Sequence, residues 1–210
     1  MVLNRYRGKV DSLLGPIAKA FSGISPNALS IISLLCAAVF FMVMIILDDP
    51  VELLIGFVLI LLNGFFDAID GKVAKITGKI SPRGDLVDHA IDRVADFLII
   101  AGISLSGFAD LRIGIIALGT VMIASYMGTQ SQALGLQRDY GGILGRAERI
   151  LLLMIFVILQ YLFEVYYQGS FEISSGLSIT LLDLLLIIFI IASTVTATQR
   201  FVRAWRGLGP

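Results

Sequence analysis

The residues of this sequence best suited to chemistry are six aspartates in one short stretch. They are Asp67, Asp70, Asp85, Asp88, Asp92 and Asp96. They recur every three or four residues in two groups, and the sequence around them is apolar enough for a lipid bilayer. Because carboxylates are costly to keep at membrane depth, a working site is the first interpretation, and a metal site is the most direct one.

The spacing of these acids places them on helix faces. Asp67 and Asp70 are three positions apart, and Asp88 and Asp92 are four apart, so each pair shares one face of a helix. A short hairpin joins the two helices, so we expect the four carboxylates to meet at one depth. Such a set suits one or two Mg²⁺ or Mn²⁺ ions, and two ions about 3.5 to 4 Å apart are the usual arrangement for phosphoryl displacement.

Several nearby residues have an alternative interpretation. The acids could instead pair with the basic residues between Lys72 and Arg83 in an interfacial salt-bridge network. His89 could be a ligand or a proton carrier, although carboxylates favour oxygen coordination, and otherwise it is a spacer at the edge of the site. Asp96 could support the site or simply pair with Arg93. The single cysteine, Cys36, has apolar neighbours, which indicates a packing role.

Composition fixes the class of protein. Hydrophobic residues make up 57% of the 210 residues and charged residues only 15%, with a mean hydropathy of +0.91, which excludes an ordinary soluble domain. We predict an all-α integral membrane protein: one domain over residues 1–210, with a six-helix bundle over residues 27–206. The six predicted spans are residues 27–47, 51–73, 86–106, 112–136, 148–167 and 178–199.

Residues 1–26 are predicted to form an amphipathic helix in the membrane interface. Its apolar stripe consists of Leu3, Tyr6, Val10, Leu13, Leu14, Ile17 and Phe21. The opposite face carries Arg5, Lys9 and Ser12, which suits contact with anionic membrane lipids. The alternative is a solvated leader.

Basic residues predict the orientation. With these spans, fourteen of the sixteen Lys and Arg fall on one side of the membrane. Arg112 lies on the other side, and Arg93 lies within a span. The positive-inside rule therefore predicts a multi-pass protein of the cell membrane with both termini and the acidic cluster in the cytoplasm.

The acidic stretch also resembles a known signature. Its matching residues are Asp67, Asp70, Gly71, Ala74, Lys75, Gly84, Asp88 and Asp92. They resemble the CDP-alcohol phosphotransferase pattern D-x2-D-G-x2-A-R-x8-G-x3-D-x3-D, with every spacing kept. Lys75 stands where the family usually has arginine, which keeps the charge but loses the bidentate fork.

The resemblance implies a fold, a reaction and a set of roles. Members are six-helix membrane enzymes, usually homodimers, that transfer a phospho-alcohol from a CDP-linked donor to an acceptor hydroxyl and release CMP. The resemblance assigns two metal ions to Asp67, Asp70, Asp88 and Asp92, and assigns acceptance of the acceptor's proton to Asp92. It assigns nucleotide binding to Gly71, Ala74, Lys75, Gly84 and Asp85.

A second stretch bears on the acceptor. Residues 125–149 resemble the corresponding segment of phosphatidylinositol phosphate synthases, and especially of archaetidylinositol phosphate synthases, which implies inositol phosphate as acceptor and CDP-archaeol or CDP-diacylglycerol as donor. Arg149 and Arg200 match positions that hold the acceptor phosphate. Bacterial members carry Lys and Arg where this chain has Gly128 and Gln130. The remaining phosphate-binding candidates, which would compensate, are Arg138 and Arg146; alternatively, these two only follow the positive-inside rule.

Two competing functions stay open at this point. One is another CDP-alcohol phosphotransferase, such as an enzyme with a glycerol phosphate acceptor. The other is a cation transporter, because intramembrane acids also mark ion pathways. A nucleic-acid partner is not expected.

Overall fold

The computed structural model describes residues 7–47, 49–167, 169–174 and 177–209, and it describes side chains there except at 7–13, 173–174 and 177. These residues form seven helices and two strands. The helices are α1 (Arg7–Ala20), α2 (Pro26–Ile46), α3 (Val51–Ile76), α4 (Pro82–Leu105), α5 (Leu111–Ala133), α6 (Arg146–Tyr166) and α7 (Leu181–Leu208). The strands are β1 (Phe171–Ser174) and β2 (Leu177–Ile179).

The chain divides into two compact units. The N-terminal unit contains residues 2–102, and the C-terminal unit contains residues 103–210. The boundary falls inside α4, so one continuous helix contributes to both units. The single-domain organisation over residues 1–210 stays a prediction.

The N-terminal unit is built on the packing of α2 against α3. Ser25 caps α2 by accepting a hydrogen bond from Ala28 N, and Pro26 occupies the first turn, where its missing N–H costs nothing. Deeper in the pair, the Asn63 side chain donates to Ser33 O and Ser33 Oγ, and Ser33 Oγ donates to Asn63 O, over 2.9 to 3.0 Å. Both residues are fully buried, so these bonds fix the register of the two antiparallel helices.

Helix α1 confirms a helix ahead of the first predicted span. Leu14, Ile17 and Phe21 pack against a buried cluster that includes Leu29 and Ile69. This part of the predicted apolar stripe therefore faces protein, not lipid, because α1 lies against α3. Of the rest of the stripe, residues 3 and 6 lie outside the described residues, and the side chains of residues 10 and 13 are not described. The interfacial position of the helix stays a prediction.

The C-terminal unit is organised around α7, which packs against α5 and α6. Near the start of α7, the fully buried Gln160 side chain of α6 donates to Glu164 Oε1 and to Gly169 O. Its amide oxygen accepts from Leu181 N. Thr180 caps α7 through Asp183 N, and the carboxylate of Asp183 accepts from Thr180 N in return. These bonds join α6 to the start of α7.

An antiparallel hairpin of β1 and β2 precedes α7. It is a small addition to an otherwise helical fold, so the predicted all-α class is confirmed for the described residues. The sixth span was expected to begin at residue 178, between Leu177 and Ile179. In the structure these residues pair with β1, and the helix begins only after the Thr180 cap. At its other end α7 continues to Leu208, nine residues beyond the predicted end of the span.

Among the described residues, five helices are long and apolar enough to cross a membrane: α2, α3, α5, α6 and α7. With this helical content, the protein is a multi-pass membrane protein. Helix α4 has 24 residues, enough to cover about 36 Å at 1.5 Å per residue, but its first half carries three of the six aspartates. A sixth span through α4 therefore stays a prediction. Cys36 on α2 is partly exposed and not enclosed in the core.

Candidate active site

The acids of α3 lie on its last three turns. Helix α3 continues past the predicted end at residue 73 to Ile76, so Asp67 and Asp70 are helical and share a face. Asp70 is buried, with 4% of its surface exposed, and Asp67 is half-buried. The Ser30 hydroxyl of α2 donates to Asp70 Oδ2 over 2.5 Å.

The acids of α4 lie on its first turns. The helix begins at Pro82, and the Ser81 hydroxyl accepts a hydrogen bond from Gly84 N over 3.1 Å, which caps the first turn. Asp88 and Asp92 follow on one face, both half-buried. Asp96, one turn later, is buried and lies 3.5 Å from Arg93 Nη1, so the structure contains the pairing with Arg93 that was one of the two alternatives for this residue.

The structure brings the two acids of α3 together with Asp88 of α4. Asp67, Asp70 and Asp88 each offer a carboxylate oxygen within 4.8 Å of the others. Asp88 belongs to a second group with His89 and Asp92 that meets the same limit. Asp88 therefore links two neighbouring groups of potential ligands, an arrangement compatible with two cations.

The donor chemistry of these groups fits a hard divalent cation. Carboxylate oxygens dominate, and they are the preferred ligands of Mg²⁺ and Mn²⁺. His89 lies at the edge: its Nε2 is 3.2 Å from Asp85 Oδ1 and its Nδ1 is 3.7 Å from Asp88 Oδ2. A divalent cation is the cofactor that this set of side chains supports.

A cavity of about 220 Å³ opens beside the acids. Asp70 and Asp88 line it, as do all five residues assigned to the nucleotide: Gly71, Ala74, Lys75, Gly84 and Asp85. At Gly71 an added Cβ would meet no atom within 4 Å, so the backbone borders open space that a ligand can approach.

Sequence reasoning missed several residues of this cavity. They are Asn27, Ser30, Lys79, Ile80 and Ser81, together with Pro26. The Pro-Asn start of α2 was a signal, because the polar Asn27 is exposed in the first turn of this apolar helix. Nothing in the spacing of the acids pointed to α2 as the third wall.

The predicted acceptor residues belong to the C-terminal unit. Arg146 and Arg149 lie on the first turn of α6, and Arg149 is buried with 7% of its surface exposed. The Arg138 guanidinium lies 5.2 Å from the centre of the Tyr140 ring. Their role in binding a phosphate stays a prediction.

Arg200 of α7 makes backbone contacts that the sequence did not predict. Its Nε donates to Gly141 O over 2.9 Å, and its Nη1 donates to Ala124 O over 2.5 Å. Gly128 permits this approach, because a Cβ there would lie 3.1 Å from Arg200 Nη1. The guanidinium plane is thereby fixed against α5 and the loop that follows it.

Sequence reasoning also missed an ion pair between the loop after α5 and helix α7. Arg203 Nε donates to Asp139 Oδ2 over 2.7 Å, and Asp139 Oδ1 accepts from Gly141 N. Partial burial acts to raise the pKa of Asp139, but the hydrogen bonds from Arg203 and Gly141 and the charges of Arg203 and Arg200 outweigh it. The pKa of this carboxyl therefore lies below its usual value.

The sequence of the whole site region can be matched to known proteins. The family model described as CDP-alcohol phosphatidyltransferase matches residues 23–198. The chain belongs to this family. It is therefore a membrane-bound CDP-alcohol phosphatidyltransferase, which answers the question between transferase and transporter in favour of the transferase.

Several curated relatives of this CDP-alcohol phosphatidyltransferase are named as synthases of inositol phosphate lipids. It is 34% identical over 164 residues to an archaetidylinositol phosphate synthase of Aeropyrum pernix, which covers 76% of this chain and 82% of the relative. It is 32% identical over 160 residues to an archaetidylinositol phosphate synthase of Pyrococcus horikoshii, covering 73% and 81%. A phosphatidylinositol phosphate synthase of Streptomyces avermitilis is 28% identical over 214 residues, covering 98% and 83%.

Solved structures show the same fold. A phosphatidylinositol phosphate synthase of Mycobacterium tuberculosis, in complex with manganese and citrate, superposes with a TM-score of 0.72 at 22% identity. The alignment covers 91% of this chain and 88% of that one. The same enzyme with CDP-DAG bound gives a TM-score of 0.70 at 22% identity, covering 92% and 94%.

Proposed function

We propose that this transferase joins a CDP-linked lipid to a hydroxyl of inositol phosphate and releases CMP. The observation that carries the proposal is the meeting of Asp67, Asp70 and Asp88 beside a cavity lined by the nucleotide signature residues. Relatives named as archaetidylinositol phosphate and phosphatidylinositol phosphate synthases support the choice of acceptor.

The donor's nucleotide occupies the cavity of the N-terminal unit. Lys75 and Lys79 line it and supply positive charge for the diphosphate. Gly71 leaves the backbone open to close approach, and Asp85 offers a carboxylate to donors on the sugar or base. The donor lipid is CDP-archaeol or CDP-diacylglycerol.

Asp67, Asp70, Asp88 and Asp92 hold two Mg²⁺ or Mn²⁺ ions in this proposal. When bound, such ions neutralise the diphosphate and stabilise the charge on departing CMP. Asp92 takes the proton of the acceptor hydroxyl, whose oxygen forms the new bond to the lipid-linked phosphorus while the bond to CMP breaks. A half-buried carboxylate one turn from Asp88 suits this role.

The acceptor's phosphate is held by Arg149 and Arg200, supplemented by Arg138 and Arg146. Burial of Arg149 strengthens a charge-assisted hydrogen bond from its guanidinium, because competing water is scarce there. The two backbone bonds of Arg200 orient its planar guanidinium before the acceptor arrives. Such preorganisation lowers the cost of binding.

The setting of the enzyme is also part of the proposal. Both termini and the acidic cluster lie on the cytoplasmic side of the cell membrane in this proposal, which the distribution of basic residues supports. The enzyme acts there as a homodimer among membrane lipids.

A product assay tests this function. Purified protein in detergent is given CDP-archaeol or CDP-diacylglycerol with either inositol phosphate or glycerol phosphate, and both CMP release and product mass are measured. We expect turnover with inositol phosphate that is lost with EDTA and restored by Mg²⁺ or Mn²⁺. Turnover with glycerol phosphate alone would transfer the assignment to that acceptor, and absence of CMP release with every acceptor would overturn it.

A further inference from the structure

One hydrogen bond joins the acidic cluster to a helix that contributes none of its acids. The Ser30 hydroxyl on α2 donates to Asp70 Oδ2 on α3 over 2.5 Å, and each residue has only 4% of its surface exposed. A hydroxyl has a single proton. Its other acceptor within reach is Pro26 O at 3.2 Å, so the shorter bond to the charged carboxylate is the favoured one.

A second tie between the same helices allows the role of Ser30 to be separated from helix packing. Ser33 lies one turn further along α2 and exchanges hydrogen bonds with Asn63, two turns before Asp70. Both partners there are fully buried and neither lines the cavity. Ser33 therefore joins helix to helix, whereas Ser30 joins a helix to a carboxylate of the cluster.

The position of Ser30 is also suited to act on the site. Ser30 and Asp70 line the same cavity, and Asp70 contributes an oxygen to the group formed with Asp67 and Asp88. A carboxylate with one oxygen committed to a fixed donor cannot rotate freely about its terminal bond. Its other lone pairs therefore keep one direction relative to the neighbouring acids.

We propose that Ser30 is a positioning residue that fixes the Asp70 carboxylate for binding of a divalent cation. The inference rests on the metal site of the proposed function and deepens it. Groups that orient metal ligands through hydrogen bonds typically change metal affinity by about 10- to 100-fold when removed. Ser30 and the acids of both groups lie in the N-terminal unit. The effect of Ser30 on metal binding can therefore be measured without donor or acceptor.

Manganese affinity tests the proposal without relying on turnover. Purified protein in detergent, without donor or acceptor, is titrated with Mn²⁺, and the free ion is followed by its electron paramagnetic resonance signal. We expect Ser30→Ala to weaken Mn²⁺ binding by about tenfold or more, and Ser30→Thr, which keeps the hydroxyl, to restore most of it. The matched control is Ser33→Ala, which should lower the thermal midpoint but leave the Mn²⁺ affinity close to that of the wild type.

Each other outcome has a defined meaning. Equal affinity of wild type and Ser30→Ala overturns the positioning role, as does an equal loss in Ser33→Ala, because the effect would then be a general loosening of α2 and α3. Absence of Mn²⁺ binding by the wild type overturns the proposed metal site and this inference with it. If Ser30→Ala does not fold, Ser30→Cys takes its place, since a thiol is a weak donor. A Mn²⁺ affinity of Ser30→Cys equal to that of the wild type would overturn the positioning role.

Discussion

Arg203 Nε donates to Asp139 Oδ2 over 2.7 Å and fastens the loop after α5 to the last turns of α7. The same loop is held at two further points, where Gly141 O accepts from Arg200 and Ile143 N donates to Thr196. The three contact positions on α7 are four and three residues apart, so they lie on one helix face. Residues 139–143 of the loop therefore run along this face of α7 and are held to it at three positions.

The Asp139–Arg203 pair should give the protein a pH-dependent increment of stability. The pKa of Asp139 is lowered in the folded protein, so the pair's full contribution is present above the unfolded pKa of about 3.9, and it is lost as pH falls through the folded pKa. Because the Arg203 side chain is 47% exposed, we expect Asp139→Asn to cost only about 0.5 to 1 kcal/mol at pH 7.

Thermal unfolding in detergent at pH 7, 4 and 3 checks this expectation. The difference in Tm between wild type and Asp139→Asn should shrink as the solution becomes more acidic. Glu172→Gln is the charge-matched control on the exposed hairpin. A difference that stays constant down to pH 3 would contradict the assignment.

Asp92→Asn should abolish CMP release while leaving the fold intact. The change removes the proposed base and one metal-ligating oxygen but keeps the size of the side chain. Turnover with inositol phosphate and the thermal midpoint are measured together, with Glu172→Gln again as control. Near-normal turnover in Asp92→Asn would remove this residue from the mechanism.

Arg149→Ala should raise the KM for a phosphorylated acceptor and leave the KM for the CDP-lipid unchanged. Loss of a charge-assisted hydrogen bond costs about 1.5 to 3 kcal/mol, which corresponds to about tenfold or more in KM. Arg206→Ala, at the exposed end of α7, is the matched control. An unchanged acceptor KM in Arg149→Ala would detach Arg149 from the acceptor's phosphate.

Two glycines of α5 should respond differently to alanine. A Cβ at Gly114 would overlap the side chain of Ser104, whereas a Cβ at Gly119 meets no atom within 4 Å. We expect Gly114→Ala to destabilise the protein by about 1 to 3 kcal/mol through overpacking. Gly119→Ala should be neutral or stabilising by up to about 1 kcal/mol, since alanine favours helix.

The thermal midpoints of both variants in one detergent provide the comparison. Equal midpoints would show that α5 can shift away from Ser104 without loss of stability, contrary to the close contact described above.

Hydropathy predicted the helices well because an apolar run of about 20 residues has few other uses. Helices α2, α3, α5 and α6 begin within two residues of the expected positions. Hydropathy did not predict the hairpin at residues 171–179. This segment is short and of mixed polarity, so it carries no periodic signal long enough to distinguish it from a loop or a helix start.

The acidic site was predictable because helix periodicity converts spacing into a shared face. Asp67, Asp70, Asp88 and Asp92 follow that rule directly. Contacts between helices have no such rule, so the bond from Ser30 to Asp70 and the fixing of Arg200 by backbone carbonyls could not be anticipated. Both depend on which helix lies beside which, and a single sequence does not specify that.

The reciprocal bonds between Ser33 and Asn63 limit how the protein can move. Sliding α2 past α3 by even one residue would break three hydrogen bonds in an apolar interior, where water cannot replace them. These two helices should therefore travel as one rigid body during a catalytic cycle. Rearrangements that admit a substrate or discharge a product must then take place elsewhere in the chain.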